Sequence, residues 1–289
     1  MIRVQICSLM VGCDVCTDIP DLERSLLSED SIVFVRKYIP NGKILQCCGD
    51  GSDVSLVISK SNKQSVVEDY PSFQVQGPEI DSKDVLALSE YLMERARQEK
   101  RVYNLHSSTV NRDDSCVIIH GASRSGKTAI ALYGMLSGDI EFLTNERTLI
   151  DLKRKRVVGG CRLLDVQKYH HEMFPQIGSI GALNLGDFPD REFEVRAIVY
   201  PSIDTGLKQL IIEERDMASA EWLLYPEFTS RIRGVNRRMF NLTYPLDSLD
   251  TKDLSRRRLA DLDTFLVDVP FYFVRGEVED ILGFIVSQL

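Results

Sequence analysis

The feature that most constrains this chain is the octapeptide G-A-S-R-S-G-K-T at positions 121–128. It matches the phosphate-binding loop pattern G-x-x-x-x-G-K-[ST]. A short run rich in branched apolar residues, as in a buried parallel strand, precedes it at Ser115–His120, and a run suited to a helix follows at Ala129–Leu136. A strand, a glycine-rich loop and a helix in this order predict an α/β domain that binds a nucleoside triphosphate.

Each residue type in the loop suits contact with phosphate. Gly121 and Gly126 permit backbone angles and close approaches through which successive N–H groups can surround phosphate oxygens. Lys127 would place a positive charge on the terminal phosphates, and the Thr128 hydroxyl would help to hold a bridging magnesium ion. The alternative is a glycine-serine turn that carries a lysine by chance, which the flanking strand and helix disfavour. The predicted cofactors are ATP and Mg²⁺, and the predicted nucleotide-binding residues are Gly121, Ala122, Ser123, Arg124, Ser125, Gly126, Lys127 and Thr128.

Composition limits the remaining possibilities. With 289 residues and 44% hydrophobic content, the chain can bury the core of one large domain or two modest ones. A formal net charge of −8 argues against nucleic acid as the main partner, because binding to a phosphate backbone requires a positive face. Local basic clusters are interpreted as solvated surface, the first in a turn between two strands. These clusters are Lys153–Arg156, Arg237–Arg238 and Arg256–Arg258.

Neither a membrane nor an oxidising compartment is indicated. The sequence has no stretch approaching the roughly 20 apolar residues of a membrane helix and no signal-peptide pattern, so a cytoplasmic protein is expected. Seven cysteines, an odd number, favour reduced thiols over a disulfide framework. Cys13 and Cys16 form a C-x-x-C pair and Cys47 and Cys48 are adjacent, but a zinc site would need a second well-spaced pair or a nearby histidine.

The organisation of the chain changes near residue 100. Residues 1–80 contain short alternating segments typical of strands, one of them S-I-V-F-V at 31–35, separated by polar turns. A helix with Ser82 as N-cap is predicted over Ser82–Lys100. After it, strands and helices alternate around the phosphate loop. We therefore expect a smaller N-terminal α+β domain at 1–100 and a phosphate-loop domain at 101–289.

Three consecutive segments carry a more specific resemblance. They are L-H-S-S-T-V at 105–110, S-C-V-I-I-H-G-A-S-R-S-G-K-T at 115–128, and G-D-I-E-F-L-T-N-E-R-T-L-I-D at 138–151. In this order they resemble the C-terminal domain of HPr kinase/phosphorylase, which is related in architecture to phosphoenolpyruvate carboxykinase. The resemblance covers about residues 101–289 and implies a mixed-sheet phosphate-loop domain. Because HPr kinase relatives assemble as oligomers, it also leaves a homo-oligomer open.

The resemblance implies roles for residues outside the loop. The family histidine falls on His106, and the family's acidic pair falls on Asn145–Glu146, where many relatives have two aspartates. Glu146 is then the predicted base and, with Thr128, the predicted magnesium ligand, while His106 assists and Lys127 stabilises charge on the transferred phosphoryl group. The alternative for Glu146 is a surface residue at a strand end. Arg196 and Arg275 lie in later segments and could reach a phosphate, although ion pairs are the simpler interpretation.

The second half departs from the family. In the protein-kinase members a glycine-rich signature begins with Glu and Arg. In this chain Gln176 and Gly178 occupy the equivalent positions. This change weakens the case for a carrier protein such as HPr as acceptor and leaves a small molecule or a peptide hydroxyl. The leading hypothesis is an ATP-dependent kinase, a phosphotransferase with an alcohol-group acceptor. The alternatives are a nucleotide-gated binding module or ATPase switch, and a carboxykinase-like enzyme acting on an organic acid.

Overall fold

The computed structural model describes residues 2–46, 52–166, 170, 174, 181–234 and 245–289, which form a mixed α/β protein with mixed sheets. The chain forms two compact units. The first contains the residues up to Tyr103 together with Pro226–Arg258, and the second contains Asn104–Tyr225 together with Leu259–Leu289. The expected boundary near residue 100 lies close to the end of the first segment, whereas the return of 226–258 to the first unit was not expected.

The first unit is built on a six-stranded mixed sheet with strand order β3-β1-β2-β4-β6-β5. Helix α3 packs against β1, β2 and β4. The elements are β1 (Ile2–Ser8), β2 (Val11–Thr17), α1 (Pro20–Leu26), α2 (Glu29–Tyr38), β3 (Lys43–Leu45), β4 (Val54–Lys60), β5 (Ser65–Asp69), β6 (Ser72–Gly77) and α3 (Ser82–Glu99).

The strand predicted at 31–35 is wrong, because these residues lie within helix α2. The Ser28 hydroxyl caps the helix by accepting a hydrogen bond from the Ser31 N–H at 3.4 Å. Glu29 and Asp30 lie in the first turn and two basic residues lie in the last, so the charges complement the helix dipole. Local capping and charge therefore outweigh the β propensity of Ile32–Val35.

Helix α3 is confirmed, but its predicted cap is wrong by one residue. The carboxylate of Asp81, and not Ser82, accepts the hydrogen bond from the Asp84 N–H at 2.8 Å. The helix is buried along nearly its whole length, so its charged residues must be paired. Arg97 donates to Glu90 at 2.6 Å and to Glu94 at 2.8 Å.

Residues from the 226–258 segment complete the environment of α3. The Tyr91 hydroxyl donates to the carbonyl of Ile232 at 3.1 Å, and the Gln98 amide donates to the carbonyl of Phe228 at 2.9 Å. The buried guanidinium of Arg258 donates in turn to the side-chain oxygen of Gln98 at 2.8 Å. These bonds explain why the segment belongs to the first unit, since buried polar groups require partners.

The second unit is built on a mixed nine-stranded sheet, in which β10-β8-β9-β15-β12-β11-β7 follow one another and β17 and β16 extend from β15. Its elements, including those through which the chain passes between the units, are β7 (Val102–Leu105), β8 (Ser107–Arg112), β9 (Ser115–His120), α4 (Lys127–Ser137), β10 (Glu141–Thr144), β11 (Thr148–Asp151), β12 (Arg156–Gly160), β13 (Leu163–Asp165), β14 (Ala182–Asn184), β15 (Phe193–Ile203), β16 (Ile211–Arg215), α5 (Met217–Ser230), α6 (Lys252–Leu266), β17 (Phe271–Gly276) and α7 (Val278–Ser287).

Three of these strands run parallel and end at one edge of the sheet. β15 is parallel to both β9 and β17, with Val199 opposite Ile119 and Ile203 opposite Gly276. Helices α4 and α7 pack together over one sheet face and share its apolar core. The loop at 121–128 leaves β9 at the carboxyl edge, where ligands of open α/β sheets bind.

The first three residues of the basic run, Lys153–Lys155, lie in the predicted turn between β11 and β12, whereas Arg156 is the first residue of β12. Two residues of this turn have acidic partners, since Arg154 pairs with Glu192 and Lys155 with Asp268. Arg258, in another predicted surface cluster, is instead buried. Among the described residues, no helix combines the length and the apolar character needed to cross a membrane.

Candidate nucleotide-binding site

The backbone of the 121–128 loop requires glycine at two positions. Gly126 caps α4 in the left-handed conformation with φ 92°, and a Cβ there would lie 2.2 Å from Cδ1 of Ile203. A Cβ on Gly121 would lie 2.8 Å from the Ser125 hydroxyl oxygen. Arg124 also has a positive φ, of 67°. In anion-binding nests, angles of opposite sign at successive residues turn backbone N–H groups towards one concave surface. In this loop the Ser125 N–H donates to the Ala122 carbonyl at 3.2 Å.

Two side chains of the loop, those of Lys127 and Ser125, carry polar atoms suited to an anion. Lys127 is buried, and its ammonium group donates to the carbonyls of Gly121 and Ala122, both at 2.9 Å. The Ser125 hydroxyl oxygen is also buried and has no hydrogen-bond partner in the described part of the chain. A buried hydroxyl without a partner is costly, and a phosphate oxygen would accept its hydrogen bond. The loop therefore fits a nucleotide phosphate group.

Asn145 lies beside the first turn of α4. Its side-chain oxygen accepts hydrogen bonds from the Thr128 hydroxyl at 3.3 Å and from the Ser108 hydroxyl at 3.0 Å. Asn145 is 3% exposed. The position beside Thr128, where a P-loop enzyme often places a magnesium-binding carboxylate, is thus held by a neutral amide.

His106 and Glu146 form the second polar pair of the site. Nδ1 of His106 lies 3.3 Å from Oε2 of Glu146 and 3.1 Å from the Glu146 carbonyl oxygen. His120, the last residue of β9, places its own Nδ1 3.1 Å from the carbonyl oxygen of His106. The residue before the loop is thereby connected to the His106–Glu146 pair.

Glu146 lies at the centre of a strained turn. Its φ is 64°, and the Arg147 N–H donates to the Asn145 carbonyl at 2.7 Å, which defines a γ-turn of the rarer form with positive φ. For a residue other than glycine such a conformation costs roughly 1–3 kcal/mol. The backbone of Cys161 holds the turn on both sides. The Asn145 N–H donates to the Cys161 carbonyl at 2.8 Å, and the Cys161 N–H donates to the Arg147 carbonyl at 2.9 Å.

Gly160 permits this close packing. A Cβ at this position would lie 2.5 Å from the Arg147 carbonyl oxygen and 2.3 Å from Cγ2 of Thr144. We expect Gly160→Ala to lower the free energy of unfolding by about 1–3 kcal/mol, because both neighbours are buried or constrained and the added methyl overpacks the site. Chemical denaturation monitored by circular dichroism would measure this loss. Gly181→Ala, at a glycine with open space around its Cα, is the matched control, and equal stabilities of the two variants would contradict the packing argument.

The structure brings most of the predicted site residues together. The eight loop residues follow β9 directly, the Thr128 hydroxyl bonds to Asn145, and His106 contacts Glu146. The two predicted metal ligands have different partners, since Thr128 donates to Asn145 while the Glu146 carboxylate contacts His106. Within the described residues, no cluster of three or more histidine, cysteine or acidic side chains is arranged to hold a metal ion.

Tyr200 is a site residue that sequence reasoning missed. Its hydroxyl oxygen accepts a hydrogen bond from the Ala122 N–H at 3.3 Å, and its ring packs edge-on against His120 with centroids 6.0 Å apart. The contact depends on parallel pairing of β15 with β9, which joins residues almost eighty positions apart. A tyrosine in an apolar strand is a weak signal without that pairing.

The C-x-x-C pair does not form a chelating site. Cys13 is fully buried and packs in the core, whereas Cys16 lies on the opposite face of β2 because strand side chains alternate. Burial raises the pKa of the Cys13 thiol to about 12, so it remains protonated at neutral pH. Other positions discussed from the sequence lie outside the described residues, namely Cys47, Cys48, Gln176, Gly178, Arg237 and Arg238.

Comparison of the chain with models of known protein families and with curated protein sequences finds no match.

Proposed function

We propose that this protein is an ATP-dependent phosphotransferase that transfers the terminal phosphoryl group to a hydroxyl of a small molecule or peptide. The observation that carries the proposal is the position of the His106–Glu146 pair. It is connected through His120 to the strand that ends at a phosphate-binding loop, and Asn145, the neighbour of Glu146, bonds to Thr128. A phosphate-binding loop alone would suit any nucleotide-binding protein, but a carboxylate near it also supplies a base.

The chain's own residues have distinct tasks in this proposal. The N–H groups of the loop and the Ser125 hydroxyl bind phosphate oxygens, and Lys127 turns from the carbonyls of Gly121 and Ala122 to the terminal phosphates. Thr128 and the side-chain oxygen of Asn145 would hold Mg²⁺. When bound, this ion would neutralise negative charge on the phosphates. The geometry of the loop and the donors available in it support this assignment.

The proposed reaction needs one proton acceptor. The acceptor hydroxyl passes its proton to the carboxylate of Glu146 as its oxygen forms a bond to the terminal phosphorus. The bond from that phosphorus to the bridging oxygen breaks, and ADP leaves with the electron pair. Nδ1 of His106, at 3.3 Å, fixes the direction of the carboxylate. The strained turn serves the same purpose, because it fixes the backbone from which Glu146 projects.

Phosphorus NMR with ATP and Mg²⁺ would test the proposal. The full-length chain is incubated with separate pools of amino acids, sugars, nucleosides and peptides. A new phosphoester signal that depends on one pool would support the phosphotransferase and identify its acceptor class. Formation of ADP and inorganic phosphate at the same rate with every pool would instead identify an ATPase switch, and absence of ATP binding would contradict both functions.

Asn145 provides a prediction about metal affinity. We expect Asn145→Asp to lower the Mg²⁺ concentration required for half-maximal activity by about tenfold, because a carboxylate is a stronger magnesium ligand than an amide oxygen. The Ser108 and Thr128 hydroxyls can still donate to the new carboxylate. A Mg²⁺ titration at saturating ATP measures the effect. Asn184→Asp adds the same charge to the exposed strand β14, and an equal shift in that control would contradict a direct role for position 145.

A further inference from the structure

Two charged residues form an ion pair at the edge of the sheet that carries the phosphate-binding loop. Arg275 is the penultimate residue of β17, and Asp204 directly follows β15. Nη2 and Nε of Arg275 lie 2.5 Å and 3.1 Å from Oδ2 of Asp204. β15 and β17 are parallel with Ile203 opposite Gly276, so both charged side chains lie at the carboxyl edge.

Contacts on both sides of Asp204 connect this edge with the loop. The side chain of Ile203, the preceding residue, occupies the space beside Gly126 at the start of α4. The hydroxyl of Tyr200 accepts from the N–H of Ala122. The end of β15 therefore packs along the loop from its second residue to the cap of the helix, and the Asp204–Arg275 pair follows immediately beyond it.

The two partners of the ion pair are not held equally. Asp204 is anchored, because its N–H donates to the Gly276 carbonyl at 2.9 Å and its Oδ1 accepts from the Gly206 N–H at 3.1 Å. Both contacts of the Arg275 guanidinium with Asp204 are to Oδ2, and the Arg275 side chain is 56% exposed. Hydrogen bonding to Arg275 holds the pKa of the Asp204 carboxyl below its usual value, so the carboxylate is ionised at neutral pH.

We propose that Arg275 is a phosphate-binding residue of the nucleotide site, and that its guanidinium exchanges Asp204 for the terminal phosphates when ATP binds. This inference rests on the proposed function, because it assigns a second cation to the same site. Exposed ion pairs contribute little to stability since water screens them, whereas a guanidinium binds phosphate through two parallel charge-assisted hydrogen bonds. The exchange replaces one carboxylate oxygen by a more highly charged acceptor and leaves Asp204 held by its backbone partners.

Arg196 is a natural comparison for Arg275. It was also a candidate for phosphate contact, its side chain is 47% exposed, and it too pairs with an acid, Glu194, at 2.9 Å. It differs in position, because its Nε donates to the hydroxyl of Ser115, the first residue of β9. Arg196 therefore lies at the start of β9, whereas the loop follows the end of that strand. Arg196 is too far from Lys127 for the two side chains to bind the same ligand.

Isothermal titration of the full-length chain with ATP and with AMP, each with Mg²⁺, tests the inference. We expect Arg275→Ala to weaken ATP binding by about tenfold or more, the typical effect of removing a charge-assisted contact, and AMP binding by less than about twofold. Arg275→Lys retains the charge without the paired geometry, so an intermediate affinity is expected. Arg196→Ala should bind ATP like the wild type. Asp204→Asn removes the competing charge and should strengthen ATP binding.

The outcomes separate this inference from the proposed function. If the wild type does not bind ATP, the proposed function itself fails. If the wild type binds ATP and Arg275→Ala binds it equally well, or loses no more affinity than Arg196→Ala, only the role of Arg275 is overturned. Weaker binding by Asp204→Asn would overturn the exchange. Thermal unfolding of each variant shows whether it is folded. If Arg275→Ala is unfolded, the ATP affinity of Arg275→Lys tests the role of the guanidinium.

Discussion

Replacing Lys127 by alanine is expected to reduce phosphoryl transfer by at least about 100- to 1000-fold, the usual effect of removing one preorganised charge from a transition state. The ammonium group is buried at the start of α4 and bonds to two carbonyls of the loop, from which it turns to the terminal phosphates in the proposed function. In the transition state negative charge increases on the transferred group and its leaving oxygen. The loss should therefore be larger in turnover than in nucleotide affinity.

Initial rates of phosphoester formation, measured with the acceptor class found by NMR, would test the Lys127 prediction. Lys153→Ala is the matched control, because Lys153 is an exposed lysine in the turn between β11 and β12. Circular dichroism and the unfolding midpoint would show that Lys127→Ala remains folded. Turnover at the wild-type rate in a folded Lys127→Ala variant would exclude the phosphate-binding loop as the reaction site.

The local parts of this site could be predicted because their signals are contiguous in sequence. The octapeptide at 121–128, the strand before it and the helix after it each depend on neighbouring residues, and the structure contains all three. The turn that contains Lys153–Lys155 was predictable for the same reason. His106 and Glu146 were found through the order of segments in a resemblance, and the structure places them in contact.

Other parts depend on contacts between distant residues. The positive φ of Glu146 follows from the bonds that Cys161 makes on either side of it, and no residue type at 145–147 predicts such a turn. Tyr200 reaches the loop only because β15 pairs with β9 in parallel. The segment 226–258 joins the first unit through hydrogen bonds to α3. Local sequence patterns do not predict these bonds, because the bonded residues are more than 100 positions apart in the chain.

Two errors have a common physical origin. Residues 31–35 were interpreted as a strand from a short alternating pattern, and Ser82 was interpreted as the N-cap of the helix over Ser82–Lys100. In the structure Ser28 and Asp81 provide the caps, each one residue before the helix that it starts. Capping depends on which side chain can reach the N–H three positions ahead, and several polar residues near each start could satisfy that pattern.

Replacing Glu146 by glutamine is expected to lower the rate of the chemical step by about 100- to 10,000-fold, the usual contribution of a general base, and to change ATP affinity by less than about threefold. Glutamine has nearly the same shape and keeps an oxygen near Nδ1 of His106, so the γ-turn and its bonds to Cys161 should persist. The substitution removes only the ability to accept the proton of the acceptor hydroxyl. Rapid-quench measurement of a single turnover separates this step from product release.

Glu141→Gln, at the exposed start of the strand that leads to Glu146, is the control for a general effect of charge. It should react at close to the wild-type rate, because Glu141 contacts Asn111 at the far end of β10. An unchanged single-turnover rate in Glu146→Gln would remove the carboxylate from the role of base. His106 would then be the next acceptor to test, since its ring lies against the same turn and His106→Asn would remove its proton-accepting group. A loss in Glu146→Gln with a normal rate in His106→Asn would instead assign the proton to Glu146 and show that this step does not require the imidazole of His106.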